Sequence, residues 1–88
     1  MTAKAAELRS QGIDVLNFSV GEPDFNTPQN IIDAAKTAMD SGYTKYTPGS
    51  GIKELKEAVC QKIKRDNNLN YNPENVVISC GGKHALYN

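Results

Sequence analysis

The chain has 88 residues, with ten basic and ten acidic side chains that cancel to zero net charge, so it is one small domain at most. A chain of this length buries only roughly 60–65% of its unfolded surface, so it is expected to be part of something larger. With no basic block and no interleaving of aromatic and basic residues, a nucleic-acid or membrane-surface partner is disfavoured, and a small soluble ligand fits better.

No apolar run approaches the roughly 20 residues that a membrane span requires. The opening Met1-Thr2-Ala3-Lys4-Ala5-Ala6-Glu7 lacks the apolar core of a signal peptide, which makes a cytoplasmic location the expectation. Cys60 and Cys80 sit in no CxxC pair and in no cluster with the single His84, so free thiols are expected, with no metal site and no disulfide framework.

Thr2 to Gln11 is rich in helix formers and stops at Gly12, a C′ candidate, yet only Ala5, Ala6 and Leu8 give it an apolar face. Ile13 to Val20 alternates, with Leu16, Phe18 and Val20 on one side and Asn17 and Ser19 on the other, the pattern of a half-buried strand. Gly21-Glu22-Pro23-Asp24-Phe25-Asn26 ends it. Thr27 then offers a cap and Pro28 a first helical position for a helix of about four turns. Its buried stripe is expected to be Ile31, Ala34, Ala35, Ala38 and Met39, and Gly42 terminates it.

From Gly42 to Gly51 the glycines, Pro48 and two tyrosines predict a loop or a boundary between subdomains. The segment from Gly51 to Asn67 repeats Ile52, Leu55, Val59 and Ile63 at helical spacing, with Lys and Glu crowding the solvated faces and Cys60 packed beside the stripe. Asn67-Asn68 and Asn72-Pro73 punctuate the approach to Val76-Val77-Ile78-Ser79, which reads as a second strand.

That strand runs into Cys80-Gly81-Gly82-Lys83-His84-Ala85-Leu86. Strand, glycine turn and helix start would aim bare backbone N–H groups and the positive end of a helix dipole at one spot, which suits a phosphate. The same residues would also serve as an ordinary strand-to-helix connection whose glycines permit a tight turn. The last helix has about six residues before the sequence stops, so the crossover to a parallel neighbour is missing and truncation is expected.

Read in order, Gly21-Glu22-Pro23-Asp24-Phe25, Thr27-Pro28, Lys45-Tyr46-Thr47-Pro48 with Gly51-Ile52-Lys53-Glu54-Leu55, and Gly81-Gly82-Lys83-His84-Ala85-Leu86 resemble the start of class I aminotransferases. These are fold-type I pyridoxal-phosphate enzymes, and the match is nearest to the bacterial and plant-like aspartate aminotransferase subgroup. The resemblance implies an α/β chain that is an N-terminal fragment: residues 1–46 contribute to the small domain, and residues 47–88 begin the large pyridoxal-phosphate-binding domain with its first helix and strand. It also implies amino acid and 2-oxo acid substrates and a homodimer.

By the same resemblance, Gly21 lies where the substrate α-carboxylate docks. The Tyr46 hydroxyl reaches the cofactor phosphate of the other subunit, and Gly81, Gly82 and Lys83 form the cofactor phosphate loop. Lys83 replaces a residue that often carries a hydroxyl in relatives, and in this subgroup it is associated with the distal carboxylate of acidic substrates. His84 stands where Gln or Gly is common and is given no catalytic role. Glu22 and Asp24 shape an entrance loop and are not an acid–base pair. The lysine that carries the cofactor lies downstream in relatives, so these 88 residues alone are expected to be inactive. Two other readings stay open: a carbon–sulfur lyase of the same fold, and a non-catalytic phosphate-binding or interaction domain.

Overall fold

A computed structural model describes residues 2–88; Met1, the first residue of the expected 1–46 segment, lies outside them. The chain divides into two compact units, Met1–Ser41 and Gly42–Asn88. The elements are α1 (Ala3–Ser10) and α2 (Gln29–Asp40) in the first unit, and α3 (Lys53–Asn67), a 3-10 turn at Pro73–Asn75 and α4 (Gly82–Tyr87) in the second. Among the described residues no helix is long and apolar enough to cross a membrane.

In the first unit, α1 ends as its sequence predicts. Gly12 takes φ 80° and donates its N–H to Arg9 O, while Ile13 N–H reaches Leu8 O. These paired bonds satisfy two carbonyls that the helix end would leave open, and the positive φ is why a glycine stands there. Ala5 is the one buried residue described.

The strand expected from Ile13 to Val20 does not form. Asn17 Oδ1 accepts from both the Ser19 amide, at 2.9 Å, and the Ser19 hydroxyl, at 2.6 Å. This local turn diverts backbone and side-chain groups that a ladder would need. The Arg9 guanidinium spans the other side, donating to Val15 O at 3.2 Å. The expected apolar face is therefore inverted: Val15 and Asn17 are half-buried, whereas Leu16 is 80% and Phe18 93% exposed.

The start of α2 is also displaced by one residue. Pro28 occupies the cap with ψ 141°, its carbonyl accepting from Ile31 and Ile32, and Thr27 supplies no side-chain bond. A proline at this point fixes φ and has no N–H to satisfy, so the helix can begin without a hydroxyl cap. Gly42 follows the last turn at φ 86°, as its sequence predicts. Of the expected stripe only Ala38 is half-buried, together with Ile32, while Ile31, Ala34, Ala35 and Met39 are exposed.

In the second unit, the cap Ile52 and, on α3, Val59, Cys60 and Ile63 are half-buried, whereas Leu55, the other member of the expected stripe, is 43% exposed. Lys53–Glu57 (3.6 Å) and Lys62–Asp66 (3.5 Å) bridge successive turns of its solvated side. The Arg65 guanidinium bonds Asp66 at 2.7 Å and, with Lys62, holds that carboxyl below the usual carboxylate range. Asn68, at φ 55°, closes the helix by donating to Lys64 O. The 3-10 turn then packs against α3.

Val76 is extended (φ −114°, ψ 130°), but the second expected strand has no ladder among the described residues. A strand exists by pairing, and here a single backbone bond, from Ile78 N–H to Ser50 O at 2.9 Å, replaces the alternating series of a sheet.

Candidate functional site

The second unit gathers most of the residues singled out from the sequence around one connection, from Val76 through Gly81–Gly82 into α4. Two contacts hold the loop before α3 against this segment: Ile78 N–H donates to Ser50 O, and Gly51, at φ 101°, lies directly beneath the Ile78 side chain. Lys56 Nζ of α3 donates to Ser50 Oγ at 3.0 Å and ties the same loop to its own helix. A Cβ at Gly51 would overlap Ile78 Cγ1, so the close approach requires a residue without a side chain. A groove of 470 Å³ lies beside this junction, lined by Pro48, Lys53, Lys56, Pro73 and Glu74 among others.

Gly81 is the cap of α4, with φ 132° and ψ 168°, a conformation open in practice to glycine alone. Space lies open where a Cβ would stand at either Gly81 or Gly82. Because the cap is glycine, it has no side-chain oxygen to accept from the first turn, and no side chain caps α4. The N–H groups of Gly82, Lys83 and His84 are those that a helix start cannot satisfy internally.

Behind the turn the Cys80 N–H donates to His84 Nδ1 at 3.1 Å. Sequence reasoning gave His84 no role and missed this bond. A signal for it existed: a side-chain acceptor at the third helical position can fold back to a backbone donor before the helix, as Glu or Gln does in a capping box.

Lys83, the second residue of α4, is exposed, and its side chain has no ion pair or hydrogen bond among the described residues. Tyr46 lies in the loop before α3 with its whole side chain exposed, at 106% of its reference area. Gly21 belongs to the first unit, where no heavy atom would meet a Cβ within 4 Å. Thus Gly81, Gly82 and Lys83 share one turn, and Tyr46 belongs to the loop that Ser50 and Gly51 tie to Ile78. Cys80 is exposed and Cys60 half-buried, both as free thiols.

The donor set of this turn, with uncapped amides beside a lysine ammonium, is one that an anionic oxygen fits. The model of the family "aminotransferase class I and II" matches residues 13–88, and the chain belongs to that family and to its fold-type I class.

Among named relatives, the aspartate aminotransferase of Bacillus sp. (strain YM-2) is 56% identical over 87 residues, covering 99% of this chain and 22% of the relative. That of Bacillus subtilis (strain 168) is 54% identical over the same shares. The aspartate/prephenate aminotransferase of Cereibacter sphaeroides is 53% identical over all of this chain and 22% of the relative. The chain thus spans about a fifth of the length of the curated relatives it matches.

Proposed function

We propose that this chain is the N-terminal part of a pyridoxal-phosphate-dependent aminotransferase that moves an amino group from an aspartate- or glutamate-type donor to a 2-oxo acid. The observation that carries the reading is the glycine turn into α4, with uncapped amides and Lys83 beside them, inside a segment that belongs to the aminotransferase family. Relatives at about half identity, named for aspartate or for aspartate and prephenate, support the dicarboxylic preference. On this reading residues 1–46 contribute to the small domain, residues 47–88 begin the large sheet-containing domain, and the complete protein is a cytoplasmic homodimer.

The residues fit the cofactor's phosphate. Gly81 and Gly82 leave room for an anion to approach the backbone, and the amides from Gly82 to His84 would donate to its oxygens. The Lys83 ammonium has no competing carboxylate among the described residues and would serve the distal carboxylate of the substrate. Tyr46, with its side chain wholly exposed, offers its hydroxyl to the phosphate held by the partner subunit. Gly21 admits the substrate α-carboxylate close to the backbone. When bound, the cofactor supplies the electron sink at the substrate α-carbon. This segment binds and orients, and the proton-moving lysine belongs to the remainder of the protein.

The test uses the complete protein with pyridoxal phosphate. Its visible absorbance should change on adding aspartate and be restored by 2-oxoglutarate. Lys83→Ala should lower kcat/KM for aspartate about 10- to 100-fold, the equivalent of one charge-assisted hydrogen bond, and spare a neutral amino donor. A folded protein without a cofactor band would refute the aminotransferase reading, and ammonia and pyruvate released from a cysteine-like substrate would replace it with a lyase.

A further inference from the structure

His84 is the one ring nitrogen acceptor in this chain, and it is used on the backbone next to the glycine turn. It occupies the third position of α4, and its Nδ1 takes the amide of Cys80, one residue before the Gly81 cap. In a capping box the third-position side chain reaches back and the cap side chain reaches forward. Here an imidazole reaches back one residue further, to the amide that precedes the cap, and the forward half has no side chain to make it, because the cap is glycine.

The bond closes a ring across Gly81 and Gly82, the two residues with the greatest backbone freedom in the connection. Without it one long contact alone would fix the direction of the turn. The helix has six residues and packs against no other element, and its further tie is a long contact from Asn88 Nδ2 to Ser79 Oγ at 3.5 Å.

We propose that His84 is a positioning residue for the cofactor phosphate: by accepting the Cys80 amide at Nδ1 it locks the Gly81–Gly82 turn in the conformation that presents its N–H groups. This rests on the aminotransferase reading of the turn. Nδ1 accepts only in the neutral ring with its proton on Nε2, and in the imidazolium both nitrogens are donors, so the Cys80 bond is lost. The lock is therefore a property of the neutral ring alone. No other element packs on α4, so the titratable and charged neighbours of the ring are those of its own connection: the Cys80 thiol, the Lys83 ammonium and the Tyr87 phenol, none bonded to it. An imidazolium would add a positive charge near the anion, but at an exposed position this attraction is screened, whereas the lost bond is local and directional.

The experiment uses the complete apoprotein and measures Kd by fluorescence for pyridoxal phosphate and, in parallel, for pyridoxal, which lacks the phosphate. His84→Ala should weaken pyridoxal phosphate about five- to tenfold at high pH, the equilibrium equivalent of one ordinary hydrogen bond, and leave pyridoxal unchanged. His84→Gln, whose amide oxygen can take the same N–H at any pH, should bind like the parent at high pH. As pH falls it should lose less affinity than the parent does. The ligand ionises identically in both proteins, so their difference isolates the imidazole.

Selective 15N-cysteine labelling supplies a readout independent of binding. The Cys80 amide resonance should titrate in the parent, stay fixed in His84→Gln, and lie at one shifted position in His84→Ala. A parent that does not prefer pyridoxal phosphate over pyridoxal refutes the phosphate-loop reading itself. A parent that does, with an Ala variant equal to it or a Gln variant sharing its pH dependence, refutes the role of His84 alone. If His84→Ala does not fold, the comparison of parent with His84→Gln decides.

Discussion

Replacing Gly51 by alanine adds one methyl group where the chain has least room. The new Cβ would overlap Ile78 Cγ1 and lie 2.8 Å from Ile78 Cβ, on a backbone at φ 101°. The left-handed backbone costs an L-residue about 1–2 kcal/mol, and forcing a methyl into occupied space costs about 1–3 kcal/mol more. The sum, about 2–5 kcal/mol, is a large part of the stability of a typical domain. Urea denaturation of the complete protein, read as a midpoint shift at constant slope, measures it.

Two other glycines separate the terms. Gly12 shares a positive φ, 80°, but nothing would meet its Cβ within 4 Å, so Gly12→Ala should show the backbone part alone. Gly49 has neither feature, and Gly49→Ala should stay within about 0.5 kcal/mol of the parent. If Gly51→Ala costs no more than Gly12→Ala, Ile78 does not lie on Gly51 and the junction described above is wrong.

Other substitutions test separate parts of the account. Tyr46→Phe keeps the ring and removes the hydroxyl, so pyridoxal phosphate should bind the complete dimer about two- to tenfold more weakly, while pyridoxal is unaffected. Asp66 is held below the usual carboxylate range by the Arg65 bond first and Lys62 second, so its support of α3 is fully present at neutral pH. That support fades as pH drops through the depressed folded value, and Asp66→Asn should flatten the acid limb of a thermal-midpoint profile without moving its alkaline side.

Much of the helical content was legible because its signals are local. Gly12 and Gly42 adopt the positive φ that a helix exit requires, and the Ile52, Val59 and Ile63 spacing marks the half-buried side of α3. The start of α2 was legible to within a residue, the error being a hydroxyl cap that Pro28 made unnecessary. Extended segments were not legible in the same way, since a strand is a property of two segments and the alternation of Leu16, Phe18 and Val20 names only one of them. The Asn17 turn that displaced it was open to sequence reasoning, as asparagine readily bonds the backbone two residues on. At the site, the glycine turn followed from composition. The Cys80–His84 bond needed the third-position logic of helix starts, and the Gly51–Ile78 approach joins residues far apart in the chain, which no local signal marks.

The bond from Ile78 N–H to Ser50 O also constrains the order in which the second unit assembles. It closes a loop whose interior holds the fifteen residues of α3. Closing a flexible loop costs entropy that grows with the number of free links, whereas a helix reaches equilibrium in about 0.1–1 μs and turns most of those links into one rigid strut. What then remains free is the short stretch around Asn68 to Asn72, which has only to swing Val76–Ile78 back over Gly51. Formation of α3 should therefore precede the tie, and a helix-breaking change in the middle of α3 should slow folding of this unit by lengthening the search for Ser50, although it touches neither partner of the bond.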